Sequence, residues 1–237
     1  MSFKAIFPNV YQLALGPVNV FLIDHSDGPT LIDTGNANDE QKIVAALASL
    51  GKQARDIRHI VLTHCHPDHA GSVAALKAIT GAQVWIHAAD AEVVRGQKAQ
   101  ESHRVSPGLL NAILFRLFIK GSSGAIASCP IEHEIGDGDV LPVAGGIRAI
   151  HTPGHSSGHM AYLLPNLLPN YGGLLVAGDV CSNAFALDYS IIYTDLEQGK
   201  RSLAKLAGME FAAICFGHGG VIKGDGVAKF KRKWGVK

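Results

Sequence analysis

Short apolar runs of strand length alternate along this chain with helix-length stretches, and glycine, proline and aspartate punctuate the joins. Val10 to Leu15, Val18 to Ile23 and Thr30 to Ile32 are the first three runs, separated by Gly16-Pro17 and Asp27-Gly28-Pro29 turns. Asn38 suits the N-cap of a helix running to about Leu50, with Gly51 as its terminator. A strand from His59 to Thr63, a helix from Asp68 to Thr80, a strand from Gln83 to Ile86 and a helix near Ala88 to Arg95 follow. The second half carries apolar runs near Ile131 to Ile135, Ile147 to Ile150, Met160 to Leu164, Leu174 to Ala177 and Phe211 to Phe216. A helix near Leu196 to Leu206 precedes the last of these.

One segment departs from the alternation. Gln97 to Ser128 begins polar, then carries Leu109-Leu110, Ile113-Leu114-Phe115 and Leu117-Phe118-Ile119 before Gly121-Ser122-Ser123-Gly124. A surface helix is apolar on one side, so this pattern predicts burial of two faces. A lid over the functional site is the preferred reading, with a dimer contact and an ordinary core helix as alternatives. The basic run Lys229 to Trp234 reads as a last helix whose Phe230 and Trp234, four apart, dock onto the body.

Composition narrows the setting. A 237-residue chain with 47% hydrophobic residues supports a sizeable core. A net charge of +1 offers no general attraction for nucleic acid. No apolar run approaches the ~18 residues of a membrane span, so no membrane partner is expected. The start of the chain lacks a signal-peptide layout, and Cys65, Cys129, Cys181 and Cys215 show no paired spacing. Both point to a reducing, cytoplasmic setting.

The chemistry concentrates in Thr63-His64-Cys65-His66-Pro67-Asp68-His69. His64 and His66 are two apart at a strand end and can point the same way, while alternation turns Cys65 away. Pro67 suits the first turn of the next helix, which brings Asp68 and His69 to the same spot. Three imidazoles and a carboxylate converging on one point suit a borderline metal such as zinc. Further ligand-type residues stand at probable strand ends beside glycine: His155 in Thr152-Pro153-Gly154-His155, Asp179 after Val176-Ala177-Gly178, and His218 in Gly217-His218-Gly219. Because His64 and His218 lie so far apart, residues 1–237 form one domain, with the helical segment near 97–128 as an insertion.

These residues in this order, together with Leu31-Ile32-Asp33-Thr34-Gly35, resemble the metallo-β-lactamase superfamily of metal-dependent hydrolases from about Val18 to Gly220. The resemblance implies an α/β fold, a four-layer αβ/βα sandwich with the site at one edge between the sheets. It implies two divalent metal ions, zinc by default, although manganese and iron fit the same ligands. One falls to His64, His66 and His155, the other to Asp68, His69 and His218, with Asp179 between them. Such sites ionise water near neutral pH, so attack on an ester, lactone, thioester or amide carbonyl is expected. Asp68 is assigned a catalytic role in orienting that nucleophile or passing its proton on. Asp33 is expected beneath the site, accepting a ring N–H from a ligand histidine. His25, His59, His87, His103, His133, His151 and His159 match no ligand position.

A small-molecule substrate is expected, with homodimer formation possible. Hydroxyacylglutathione hydrolases of the glyoxalase II type would share all seven ligands, but the one basic cluster on offer for glutathione carboxylates is Lys229, Arg232 and Lys233. Acyl-homoserine lactonases share the Thr-Pro-Gly-His and His-Pro-Asp-His-Ala-Gly segments. They carry a tyrosine three residues past the shared aspartate, where this chain has Ser182. A metal-binding regulatory protein without turnover is the reading from a different class.

Overall fold

The computed structural model describes residues 1–120, 124–165 and 172–235, and the backbone alone of Phe118. The expected terminator Gly121-Ser122-Ser123 lies outside the described residues. The first half comprises β1 (Lys4–Phe7), β2 (Val10–Leu15), β3 (Val18–Ile23), β4 (Thr30–Ile32), α1 (Glu40–Ala48), β5 (His59–Val61), α2 (Pro67–Ala70), α3 (Val73–Thr80), β6 (Gln83–His87), α4 (Ala88–Val94), β7 (Arg104–Val105) and α5 (Leu109–Leu114). The second comprises β8 (His133–Ile135), β9 (Val140–Leu141), β10 (Ile147–His151), β11 (Met160–Leu164), β12 (Leu174–Val176), β13 (Ile192–Tyr193), α6 (Leu196–Ala207), β14 (Ala213–Cys215), β15 (Ile222–Lys223) and α7 (Asp225–Trp234).

Two sheets face each other, one in the order β1-β2-β3-β4-β5-β6-β8 and the other β15-β14-β12-β11-β10-β9. Period-two alternation explains why their strands read as unbroken apolar runs. Leu31, Ile60, Val84 and Ile86 point outward onto Ile43, Leu47, Val73 and Leu76 of α1 and α3. Their neighbours Ile32, Val61 and Trp85 point inward against Ile147, Met160, Tyr162, Leu174 and Val176 of the second sheet. Ala161, Leu163, Leu175 and Ile214 emerge on its far side under Leu203, Leu206, Val227 and Phe230 of α6 and α7. Three apolar seams therefore join four layers, helices on sheet on sheet on helices. Burying each such aliphatic side chain favours folding by roughly 1.5–3 kcal/mol.

Topology collects the functional loops at one edge. β4, β5 and β6 run parallel, so their C-terminal ends lie together. In the second sheet β10 and β12 both run antiparallel to β11, and β14 runs parallel to β12, so those three also end on one side. Asp33, the His64 loop, the His155 loop, Asp179 and His218 each follow one of these ends.

Two elements differ from expectation. The helix expected from Asp68 to Thr80 is broken into α2 and α3 around Gly71-Ser72. A Cβ at Gly71 would come within 2.4 Å of the Ala37 nitrogen, and Ser72 Oγ donates to Asn36 O at 2.5 Å. Contact with the loop after β4 thus outweighs helical continuity. The apolar segment 109–119 buries one face, not two: Leu114 is 8% exposed, whereas Leu109 is 79% and Leu117 68%. α5 ends in a π-helical stretch, Phe115–Ile119.

Candidate metal centre

Asp33 organises the floor of the site. Its backbone sits in the left-handed region at φ 61°, which turns the chain sharply after β4. Its carboxylate accepts Thr63 N–H at 2.7 Å, the Thr63 hydroxyl at 2.8 Å and the His69 ring at Nδ1, 2.8 Å away. The Thr63 hydroxyl proton goes to a carboxylate, so its oxygen is left to accept His64 Nδ1–H at 2.9 Å. Carbonyls hold two more rings by the same nitrogen: His155 Nδ1 donates to Ile192 O at 2.9 Å, and His218 Nδ1 to Pro17 O at 2.9 Å. In all four rings Nδ1 is engaged outward, which turns Nε2 toward the other rings. Outer hydrogen bonds of this kind are what hold imidazole ligands on a metal.

Three overlapping sets result. His64, His66 and His155 bring ring nitrogens within 4.8 Å of one another, and the ring nitrogens and carboxylate oxygens of His64, His69 and Asp179, and of Asp68, His69 and His218, lie as close. His66 turns Nδ1 inward, 3.0 Å from His64 Nε2. Asp179 lies between the groups, with Oδ2 3.6 Å from His155 Nε2 and 3.1 Å from His218 Nε2, and Oδ1 3.5 Å from His69 Nε2. The cluster fits a cation. His155 Nε2 and Asp179 Oδ1 are buried without a hydrogen-bond partner among the described residues, a state that costs free energy unless a ligand satisfies it. The space is also kept open: a Cβ on Gly217 would fall 2.0 Å from Asp179 Oδ1 and 2.6 Å from His69 Cε1.

The electrostatics divide the cluster in two. Burial lowers the His155 pKa to about 4, and burial with neighbouring imidazoles takes His64 and His66 well below the usual range. Burial acts the same way on His69 and His218, but carboxylates outweigh it. Asp179, Asp68 and Asp33 raise His69 well above its ordinary value, and Asp179 with Asp68 raises His218 to about 10. Burial opposes ionisation of Asp68 and Asp179, yet His69 and His218 hold both carboxyls well below the usual carboxylate range.

Three positioning residues were not legible as such. Buried His159 accepts Asp179 N–H at Nε2, 2.9 Å, and donates from Nδ1 to Thr152 Oγ1, 2.8 Å, so it is neutral and sets the backbone of Asp179. Asp90, in the first turn of α4, accepts Cys65 N–H at 2.9 Å, the Ser156 hydroxyl at 2.8 Å and Gly158 N–H at 2.8 Å. One carboxylate thus ties the His64 loop to the His155 loop. Asn19 donates to Phe216 O and Gly219 O on either side of His218. An acidic residue among the alanines and valines of α4 and an asparagine inside an all-apolar strand were the available signals. Cys65 is buried and turned away; burial, then Asp90, pushes its thiol far up.

Among the described residues, no side chain takes the place of the lactonase tyrosine. The Tyr193 hydroxyl donates to Val180 O at 2.6 Å and accepts Ser190 N–H, so only its ring faces the site, its centroid 5.8 Å from that of the His155 ring. Tyr189 packs on Trp234 instead. The segment expected as a lid is tied to the site on both sides. Ser106 bonds Ile191 and Ser190 beside the carbonyl that holds His155, and β7 pairs with β13. After α5, Gly124 lies so close to Pro67 that a Cβ there would stand 2.5 Å from it.

Comparison with known proteins agrees with this geometry. The metallo-beta-lactamase superfamily profile matches residues 13–218. An uncharacterized protein of Bacillus subtilis, YobT, is 30% identical over 179 residues, 73% of this chain and 67% of that protein. An N-acyl homoserine lactonase of Bacillus cereus is 27% identical over 62% of this chain and 58% of its own length. Among solved structures, a metallo-beta-lactamase of Cronobacter sakazakii with a HARLDQ motif superposes with a TM-score of 0.72 at 26% identity, covering 92% of this chain and 81% of that one. With a profile match across most of its length and a shared four-layer fold, this chain belongs to the metallo-beta-lactamase superfamily of metal-dependent hydrolases.

Proposed function

We propose that this protein is a dinuclear hydrolase of carboxylic ester, lactone or thioester carbonyls. His64, His66 and His155 would hold one cation, Asp68, His69 and His218 the other, and Asp179 both. The observation that carries this reading is the position of Asp179, within 3.6 Å of imidazoles from both sets. Zinc suits the imidazole-rich donors best, with manganese and iron compatible. Bound cations would supply Lewis acidity and bring the ionisation of water near neutral pH. Asp68 is the residue placed to handle protons there. Its carboxylate is partly open to solvent, with Oδ2 3.3 Å from His218 Nε2 and 3.7 Å from His69 Nε2. Held ionised by those rings, it can accept a proton from a nucleophilic water or orient it, and return the proton to the leaving oxygen or sulfur. The buried free thiols suit the reducing, cytoplasmic setting expected for the chain.

The deciding experiment is a panel on zinc-loaded protein: homoserine lactones of several acyl lengths, S-lactoylglutathione, a simple aryl ester, a β-lactam and a phosphodiester. Turnover of acyl substrates is expected, and turnover of the phosphodiester alone would overturn the reading. A companion result concerns pH. His155 is unprotonated above pH about 4, and burial holds His64 and His66 well below the usual histidine range, so the cation affinity of this set should be flat near neutral pH. His218 keeps its proton up to about pH 10, so filling the other set must release it. Affinity for the second cation should rise about tenfold per pH unit per proton released. Isothermal titration in buffers of differing ionisation enthalpy reads this directly, and two proton-independent equivalents would contradict it.

A further inference from the structure

Among the described residues, the outer face formed by Leu109, Leu110, Ile113 and Leu117 is left exposed. Leu109, Leu110, Ile113 and Leu117 are 79%, 58%, 46% and 68% exposed, and the four-residue spacing of three of them makes one stripe. The opposite face is committed to the protein through buried Leu114 and partly buried Phe115 and Ile119. A contiguous stripe of large aliphatic side chains in water marks an interaction surface rather than an ordinary exposed helix.

The charge around the stripe indicates what it meets. From Ser102 to Ile131 the chain contains Arg104, Arg116 and Lys120 and no Asp or Glu, although the whole protein is balanced at +1. All three basic side chains are exposed. A two-fold contact between copies of this chain would set like-charged rims against each other. A lipid surface with anionic headgroups satisfies both features, because acyl chains receive the stripe and headgroups pair with the rim. We propose that Leu109–Ile119 is an interfacial helix that seats the protein on an anionic lipid surface. The expected absence of a membrane partner rested on spans long enough to cross a bilayer, and no described helix is such a span. A helix lying on the surface needs no such length. Its attachment beside Ile192 and Pro67 would bring the opening of the site to the lipid.

Co-sedimentation tests the proposal without reference to the reaction. The full chain is mixed with phosphatidylcholine vesicles, or with vesicles of equal phosphatidylcholine and phosphatidylglycerol, at low and high salt. Binding to the anionic vesicles alone, weakened by salt, is expected. Each basic residue near such a surface is worth roughly fivefold in partitioning, so Arg116→Gln with Lys120→Gln should weaken binding about 25-fold. Leu110→Glu with Leu117→Glu should abolish it while leaving the melting temperature and zinc content unchanged, since both side chains are exposed. The proposal is overturned by any of three results: no binding to anionic vesicles, equal binding to neutral ones, or a concentration-dependent dimer that the leucine variant dissolves.

Discussion

Replacing His64 and His66 together by alanine is expected to abolish turnover and leave at most one loosely held cation, while the chain still folds. The two rings supply two of the three nitrogens of the His155 set, and His64 also belongs to the set that contains His69 and Asp179. Losing both therefore leaves one set with a single donor and strips a neighbour from the other. Folding should survive, because the ordering contacts of the loop do not depend on these rings. Cys65 N–H still reaches Asp90, Thr63 still reaches Asp33, and Thr34 still donates to His69 O. Vacating two buried imidazole sites lined by other polar side chains admits water, which moderates the cavity cost. Elemental analysis after reconstitution, with circular dichroism as the folding control, checks the expectation. Close to two zinc ions in the wild type against none or one loosely held ion in the variant supports the assigned ligands, and retention of both ions would refute it.

Much of this site was legible because its residues are chemically conspicuous and locally punctuated. His64, His66, Asp68 and His69 lie within one strand-to-helix turn, so secondary-structure geometry alone predicts that they converge. His155, Asp179 and His218 could be assembled with them only by family resemblance, since nothing local in a sequence states that β10, β12 and β14 end at one edge. The strands β2, β3, β4 and β11 have their expected bounds, because glycine or proline turns and abrupt changes of polarity frame them. Two-residue strands such as β7, β9, β13 and β15 went unseen, as pairing partners define them rather than any periodicity of their own. The positioning groups escaped for a related reason. Asp90 and His159 act through backbone N–H groups distant in sequence, and an isolated polar residue does not announce its acceptor. The outer face of 109–119 shows the opposite failure: the apolar pattern was plain, but burial was inferred where exposure is found.

Asp179→Ala and Asp33→Ala should fail in different ways, although both remove a buried carboxylate. Asp33 meets no cation-facing nitrogen. It accepts Thr63 N–H, the Thr63 hydroxyl and His69 Nδ1–H, so its loss leaves three buried donors without their acceptor. Each such donor costs about 1–3 kcal/mol, which predicts a fall in melting temperature of roughly 4 °C or more. His69 would lose its tautomer lock, and effects of that indirect kind on cation affinity or activity are typically about 10–100-fold. Asp179 is the reverse case. Its Oδ1 has no hydrogen-bond partner among the described residues, while its backbone N–H remains held by His159, so the fold loses little local scaffolding without the side chain. What disappears is, among the described residues, the only carboxylate within reach of His69, His155 and His218 together. On the proposed dinuclear reading both cation positions would lose a donor and the negative charge that would offset two adjacent cations, so activity should fall well beyond the 100-fold range and bound zinc should drop below two per chain. Melting curves, zinc content and steady-state rates for the two variants separate these outcomes. Equal and small activity losses from both substitutions would remove Asp179 from its place between the two sets.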